Sequence, residues 1–317
     1  MTAAKQWVLA SRPEGAPTSE NFRLEEVELP ELSDGQILVQ NTFSSVDPYM
    51  RGRMNEGPSY VAPVPLGGVM QGEGVGEVLE SRHPGFAPGD FVRGHGGWQS
   101  HFVLPGEKLT RLDPHEAPLS TALGVLGMPG LTAYAGLHTI ASPKAGETVV
   151  VGAASGAVGA IAGQLAAAMG CRVVGVAGGP EKCRYVEEEL GFATCLDRRA
   201  PDLAGRLAIA CPDGVDVYVE LVGGAVFQAV LPLMNVKGRI PVIGTIAWYN
   251  LKELPPGPDR TPQLLRAILT KRLRVEGLIV FDHAQLEPEF RREVGAMVRE
   301  GRVRFREDVV EGLARAP

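Results

Sequence analysis

One segment of the sequence limits the fold more than any other. The apolar strand Thr148–Val151 runs directly into a glycine-rich turn, residues 152–159 (GAASGAVG), and an alanine-rich segment follows. A strand, such a turn and a helix in this order predict a dinucleotide site, with the pyrophosphate at the helix N-terminus. Gly156 permits close approach of the backbone, Gly159 permits close helix–strand packing, and Ala153 stands where a first glycine is usual.

From Glu147 onward, predicted strands alternate with predicted helices. The predicted strands are 147–151, 172–176, 216–220 and 239–243, and the predicted helices are 157–169, 181–190 and 290–301. Apolar strands that alternate with helices predict a parallel, doubly wound sheet. Before about residue 122, short strands broken by turns predict an antiparallel, barrel-like domain. A last strand is expected at 302–309.

The second predicted strand of the sheet indicates which dinucleotide binds. It ends in residues 175–180 (GVAGGP), without the acid that hydrogen-bonds the ribose 2′-hydroxyl in NAD-binding proteins. Lys182 and Arg184 follow, and either cation suits a 2′-phosphate. The missing acid therefore favours NADP(H).

Composition and charge indicate which partners, compartments and metal sites to expect. A formal net charge of −6 argues against nucleic-acid binding, and no apolar run or signal-like N-terminus predicts membrane insertion or export. The four cysteines, of which Cys171 is the first, show no C-x-x-C pair, so we expect reduced thiols in the cytoplasm. The six histidines lack metal-ligand spacing, and we expect no metal site.

Five segments, in order along nearly the whole chain, carry a resemblance to a known family. They are 45–54 (SVDPYMRGRM), 127–134 (GMPGLTAY), 153–159 (AASGAVG), 177–185 (AGGPEKCRY) and 244–250 (GTIAWYN). With them the chain resembles the medium-chain dehydrogenase/reductase superfamily, in its zinc-independent branch of NADPH-dependent 2-alkenal, curcumin and prostaglandin reductases. The resemblance implies an α/β fold with a Rossmann doubly wound parallel sheet and a GroES-like β-barrel domain.

The resemblance also implies a reaction. Members of this branch reduce the carbon–carbon double bond of α,β-unsaturated ketones and aldehydes, with hydride from NADPH to the β-carbon. The carbonyl oxygen then needs a hydrogen-bond donor for its developing charge. The resemblance assigns this role to Tyr249, places Tyr49 in the catalytic and substrate pocket, and places Met128 along the same cleft. Tyr134 is expected to pack in its helix.

Further expectations follow from the resemblance and the turn together. The expected cofactor-binding residues are Ala154, Ser155, Gly156, Ala157, Val158, Gly178, Lys182, Arg198, Gly244, Thr245, Ile246, Leu278, Ile279 and Val280. The expected domains are 1–122 (substrate and catalytic), 123–295 (NADP-binding) and 296–317, an incomplete return segment. The family implies a homodimer formed through a strand at 274–280, at the edge of the sheet.

The sequence departs from the family pattern at two positions. Leu221 stands where an Asn commonly precedes Val-Gly-Gly and contacts the cofactor, and Arg198 stands where a Tyr is common near the 2′-phosphate. Two alternatives stay open: an NADPH-dependent quinone oxidoreductase, an enzyme of related fold without zinc, and a non-catalytic NADPH-binding protein, which Leu221 keeps open. The segment 47–51 and Tyr249 favour the alkenal branch over the quinone enzymes.

Overall fold

The computed structural model describes residues 2–253 and 257–317. They form two compact units. The first comprises the described residues of Met1–Leu123 together with Tyr249–Lys252 and Glu307–Pro317. The second comprises Gly124–Trp248 and the described residues of Glu253–Arg306. The chain therefore leaves the first unit after residue 123, returns to it briefly at Tyr249, and ends in it.

The first unit is built from short antiparallel strands. Its elements include β1 (Thr2–Leu9), β2 (Phe22–Leu29), β3 (Gln36–Ser44), α1 (Tyr49–Arg53), β4 (Gly74–Ser81), β5 (Phe91–Gly94), β6 (His101–Pro105) and β7 (Thr110–Leu112). β1 pairs with β2, and the other five strands form a sheet in the order β6-β3-β4-β5-β7. The expected antiparallel domain is confirmed. The sheet strands supply a small apolar core that includes Ile37, Val39, Val78 and Phe102.

The second unit contains the parallel sheet. Its elements include α2 (Met128–Ala135), β8 (Thr148–Val151), α3 (Ala157–Ala168), β9 (Arg172–Ala177), α4 (Pro180–Arg184), β10 (Thr194–Asp197), α5 (Leu203–Ala210), β11 (Val215–Val219), α6 (Gly224–Val230), β12 (Met234–Val242), α7 (Thr261–Lys271), β13 (Arg274–Gly277) and α8 (Glu287–Arg299). The strand order is β10-β9-β8-β11-β12-β13. Counted from β8 this is 3-2-1-4-5-6, the order of the Rossmann fold, so the predicted doubly wound sheet is confirmed.

Helix α3 packs closely against its neighbours because its side chains are small. Its sequence is AVGAIAGQLAAA, and the residues from Gly159 to Ala166 are buried. A Cβ on Gly163 would lie 1.8 Å from Cζ of Phe192, so only glycine fits against this ring. Residues with larger side chains would hold the helix further from its neighbours.

Tyr134 packs within the second unit, as expected. Its hydroxyl donates a 2.9 Å hydrogen bond to Oε2 of Glu293, and its ring stacks on His138 with centroids 3.8 Å apart. Phe290 lies against the same ring. The side chain therefore joins α2 to α8.

The strand expected at 302–309 is wrong. These residues form neither strand nor helix. The backbone of Arg304 instead pairs with the side chain of Gln164 in α3: its N–H donates to Oε1 at 2.7 Å, and its carbonyl accepts from Nε2 at 2.8 Å. One amide side chain thus takes the place of a strand partner, although the local sequence alternates apolar and charged residues.

Within residues 2–253 and 257–317, no helix combines the length and apolar character that crossing a bilayer requires.

Candidate active site

The glycine-rich turn has the backbone that a dinucleotide site needs. The N–H of Gly152 donates to Val219 at the end of β11 (3.1 Å), and the N–H of Ala154 donates to Val176 in β9 (3.0 Å). Ala153 has φ of +47°, in the left-handed region where glycine is favoured. Ala153 therefore adopts the left-handed conformation that the usual first glycine would adopt, although it carries a Cβ.

Helix α3 begins at Ala157, directly after this turn. The side chain of Ala154 is buried, whereas Gly156 and Ala157 are exposed and Ser155 and Val158 are half-buried. The first N–H groups of a helix lack intrahelical partners and carry partial positive charge. The turn therefore offers accessible backbone donors to an anion such as a pyrophosphate.

Two arginines surround the end of β9. Arg198 Nε lies 3.5 Å, and Arg199 Nε 3.6 Å, from the position that a Cβ on Gly178 would take. Arg199 Nη1 lies 3.6 Å from the same position on Gly179. Both arginines are exposed, and so is Lys182 in α4. The tip of the second strand thus carries guanidinium groups where an NAD site carries an acid.

Asp197, the last residue of β10, fixes the backbone of the segments that follow β9 and β10. Its Oδ1 accepts hydrogen bonds from the N–H groups of Gly179 (2.8 Å) and Arg199 (2.9 Å). These backbone donors, that of Arg199 first, lower the pKa of the Asp197 carboxyl. Oδ1 of this acid is therefore engaged with the backbone around the end of β9.

The loops after β11 and β12 are joined to each other. The carbonyl of Glu220 accepts from the N–H groups of Ile243 (2.9 Å) and Gly244 (3.2 Å), and the N–H of Ala247 donates to Val222 (3.0 Å). Both loops lie at the carboxyl ends of parallel strands, where doubly wound sheets bind their ligands. Gly244, Thr245 and Ile246 all belong to the joined segment.

Gly223 allows the indole ring of Trp248 to approach the loop after β11. Its φ is +74°, and a Cβ there would lie 3.0 Å from Cη2 of Trp248. Tyr249 follows Trp248 in the chain and is half-buried in the first unit. Glycine at position 223 therefore leaves the space in which the Trp248 ring packs against this loop.

Tyr49 begins helix α1 in the first unit. It packs at the margin of an apolar cluster that includes Met50, Met54 and Trp98, and the Arg53 guanidinium lies 5.0 Å from the centroid of its ring. Burial, followed by the charges of Asp47 and Glu73, raises the pKa of the Tyr49 hydroxyl. The hydroxyl therefore stays protonated and can donate a hydrogen bond at any physiological pH.

The remaining predicted residues lie near the carboxyl edge of the sheet or in α2. Leu278 follows β13; its N–H donates to Val242 (3.0 Å), and its buried side chain packs with Ala135 and Ile140. Ile279 and Val280 are half-buried, as is Met128 at the start of α2. The structure brings the turn, the arginines and the loops after β11, β12 and β13 to the carboxyl ends of one sheet.

Two residues of this edge were not predicted from sequence. Arg199 directly follows Arg198, and the repeated charge after β10 was the available signal. Glu220 is 1% exposed at the end of an apolar strand. The single acid at the end of an apolar strand was the signal in the sequence for Glu220. The partners of this side chain depend on the tertiary structure and could not be predicted.

No three His, Cys, Asp or Glu side chains form a group suited to a metal ion in the part of the chain that the structure describes.

These features define a dinucleotide-binding oxidoreductase with a separate antiparallel unit. Two family models match the chain: "N-terminal domain of oxidoreductase" over residues 5–112 and "Zinc-binding dehydrogenase" over residues 157–297. The chain is 53% identical to the NADPH-dependent curcumin reductase of Escherichia coli over 314 residues, which are 99% of this chain and 91% of the relative. It is 41% identical to the 2-alkenal reductase (NADP(+)-dependent) of Nicotiana tabacum, over 99% of this chain and 92% of the relative.

A solved structure is also similar. CurA from Vibrio vulnificus in complex with NADPH superimposes with a TM-score of 0.95 at 45% identity, over 98% of this chain and 93% of that one. The chain belongs to the medium-chain dehydrogenase/reductase superfamily, in the zinc-independent branch of NADPH-dependent curcumin, 2-alkenal and prostaglandin reductases.

Proposed function

We propose that this chain is an NADPH-dependent reductase of the carbon–carbon double bond of α,β-unsaturated ketones and aldehydes. The observation that carries the cofactor choice is the pair Arg198 and Arg199 around Gly178 and Gly179, together with the lack of an acid in residues 175–180 at the end of β9. The names of the relatives, curcumin reductase and 2-alkenal reductase, support the substrate class.

The residues of the second unit fit NADPH. The backbone donors at 155–157 would hold the pyrophosphate, and Arg198, Arg199 and Lys182 would hold the 2′-phosphate. Gly178 leaves room beside the arginines, and the segment 244–246 with residues 278–280 would border the nicotinamide. When bound, NADPH supplies a hydride for the β-carbon of the substrate.

Tyr249 is proposed to stabilise the charge that develops on the substrate. As the β-carbon accepts hydride, the electrons of the double bond move to the carbonyl oxygen, and a proton later completes the reduction at the α-carbon. A tyrosine hydroxyl that donates to this oxygen lowers the barrier because the hydrogen bond strengthens as the charge grows. Tyr49 and Met128 are proposed to contact the substrate.

Replacement of Tyr249 by phenylalanine should lower kcat by about tenfold or more for enones and enals, because the variant lacks the donor. The measurement follows NADPH oxidation with a panel of enones, enals and quinones. Tyr134→Phe is the matched control, since it removes a hydroxyl that bonds Glu293 within the second unit. Its kcat should equal that of the parent.

The same panel separates the alternatives. Reduction of quinones alone would indicate a quinone oxidoreductase. A change of NADPH fluorescence on binding, without oxidation by any compound, would indicate a non-catalytic NADPH-binding protein. An unchanged kcat of Tyr249→Phe for every enone would contradict the role of its hydroxyl.

We further propose that the chain forms homodimers through the edge of the parallel sheet. β13 is the outer strand of that sheet, and Leu269 (77% exposed) and Leu265 (59% exposed) of α7 present apolar side chains to solvent. Exposed apolar side chains beside an edge strand favour association. The molar mass by light scattering should be twice that of one chain, and Leu265→Glu/Leu269→Glu should halve it; a monomeric parent would contradict the proposal.

Cytoplasmic location and the absence of nucleic-acid partners stay predictions. The free thiols of Cys171, Cys183, Cys195 and Cys211 support a reducing compartment.

A further inference from the structure

Glu220 connects two loops of the carboxyl edge through its backbone and its side chain. Its carbonyl accepts from the N–H groups of Ile243 and Gly244 in the loop after β12. Its carboxylate oxygen Oε1 accepts from the N–H groups of Val222 (2.5 Å) and Gly223 (2.8 Å) in the loop after β11. One residue thus holds four backbone N–H groups, two in each loop.

The loops held in this way carry the expected nicotinamide contacts. The segment that begins at Ile243 includes Gly244, Thr245 and Ile246 and ends at Trp248, whose ring packs on Gly223. Tyr249 is the next residue in the chain. The conformation of the loop after β11 therefore affects the segment that leads to the proposed catalytic tyrosine.

The buried hydroxyl of Tyr218 lies close to both the glycine-rich turn and the carboxyl group of Glu220. A Cβ on Gly152 would lie 3.4 Å from Oη of Tyr218, which is fully buried. In the described part of the chain, neither this Oη nor Oε2 of Glu220 makes a hydrogen bond of standard geometry. The two groups are nevertheless close enough to influence each other's pKa, and both pKa values are raised, chiefly by burial.

Burial of the Glu220 carboxyl group lowers the stability of the folded state. A buried carboxyl group with an incompletely satisfied oxygen destabilises the fold relative to an apolar side chain. The departure at Leu221 increases the importance of its neighbour, because leucine supplies no polar side chain to this loop. Gly223 and Gly224 both have positive φ and gain no rigidity from side chains of their own.

We infer that Glu220 is a positioning residue: its carboxylate fixes the backbone of the loop after β11, and thereby the nicotinamide-bordering segment 243–248, as an acceptor of two N–H groups. The inference rests on the proposed function for its catalytic readout. Glu220 itself has no proposed contact with the substrate.

Four variants test the inference. Glu220→Ala removes the acceptor, and Glu220→Asp keeps the carboxyl group on a side chain that is one methylene shorter. Glu220→Gln keeps an oxygen that can accept from both N–H groups. Asp216→Ala is the matched control, because Asp216 lies on the same strand at its opposite end and accepts from Thr148 N (2.9 Å) and Asn235 Nδ2 (2.8 Å).

The readouts are the Kd of NADPH by fluorescence, kcat and KM for one enone, the melting temperature, and hydrogen exchange of the Val222 and Gly223 amides. Glu220→Ala and Glu220→Asp should raise the NADPH Kd and lower kcat by about tenfold each, with faster exchange at both amides. Glu220→Gln should stay within about threefold of the parent. Asp216→Ala should lower the melting temperature without changing kcat or Kd.

Several results would overturn the inference. The inference is wrong if Glu220→Ala has the kcat and the NADPH Kd of the parent. It is also wrong if Asp216→Ala shows the same rise in Kd and fall in kcat as Glu220→Ala, because general destabilisation would then explain both. If Glu220→Ala does not fold, the other two variants decide. A tenfold loss of kcat and NADPH affinity in Glu220→Gln, or parental values of both in Glu220→Asp, would contradict the inference. If the parent binds NADPH but reduces no enone, the proposed function fails, and Kd with amide exchange still decides the role of Glu220.

Discussion

Replacement of both Arg198 and Arg199 by alanine should lower kcat/KM for NADPH by about 100-fold and leave kcat/KM for NADH nearly unchanged. Each guanidinium is able to make charge-assisted hydrogen bonds with a 2′-phosphate, and two such bonds are worth about 3 kcal/mol together. NADH lacks this phosphate, so it loses nothing. Because both side chains are exposed, the melting temperature should change little.

A control with the same change of charge is available on α8. Arg292 and Arg299 are exposed there, and Arg292→Ala/Arg299→Ala should keep the preference for NADPH. Lys182→Ala measures the share of the third cation that is proposed to hold the 2′-phosphate, beside Arg198 and Arg199. Equal kcat/KM for NADPH and NADH in the parent would contradict the assignment of all three.

Replacement of Gly159 by alanine should weaken NADPH binding by about 100-fold or prevent folding. A Cβ at this position would lie 2.4 Å from the carbonyl oxygen of Ala153 and 3.1 Å from that of Gly152. Both are backbone atoms of the turn, so α3 or the turn must move. Overpacking of this kind costs about 1–3 kcal/mol, and the displaced donors weaken binding further.

The measurements are the melting temperature and the Kd of NADPH. Gly124→Ala is the control, because its Cβ would meet nothing within 4 Å and its φ is outside the left-handed region. It should match the parent in both. Parental NADPH affinity in Gly159→Ala would contradict the importance of close contact between α3 and the turn.

The elements that could be predicted from sequence are those whose pattern is local. β8, the turn and α3 follow one another within about twenty residues, and their order alone indicates a dinucleotide site. The absent acid after β9 is likewise visible in the sequence. These features depend on neighbours in the chain, so no tertiary contact was needed to find them.

The features that were missed depend on distant partners. The alternating residues after Arg302 suggested a strand, but the backbone of Arg304 is paired by the side chain of Gln164, 140 positions away. Glu220 acts on loops that the sheet brings together, and Arg199 lies beside the two glycines that follow β9. The repeated charge at 198–199 and the lone acid after β11 are visible in the sequence, but the partners of these residues are set by the tertiary structure.

The small side chains of α3 have a consequence for the thermodynamics of binding. With Gly159 against the turn, Gly163 against Phe192 and Gln164 bonded to Arg304, the helix has little room to shift. A site that is already ordered spends less of its interaction energy on immobilising the protein. The phosphate end of the cofactor should therefore meet a preorganised surface, and association there should require no slow rearrangement of the helix.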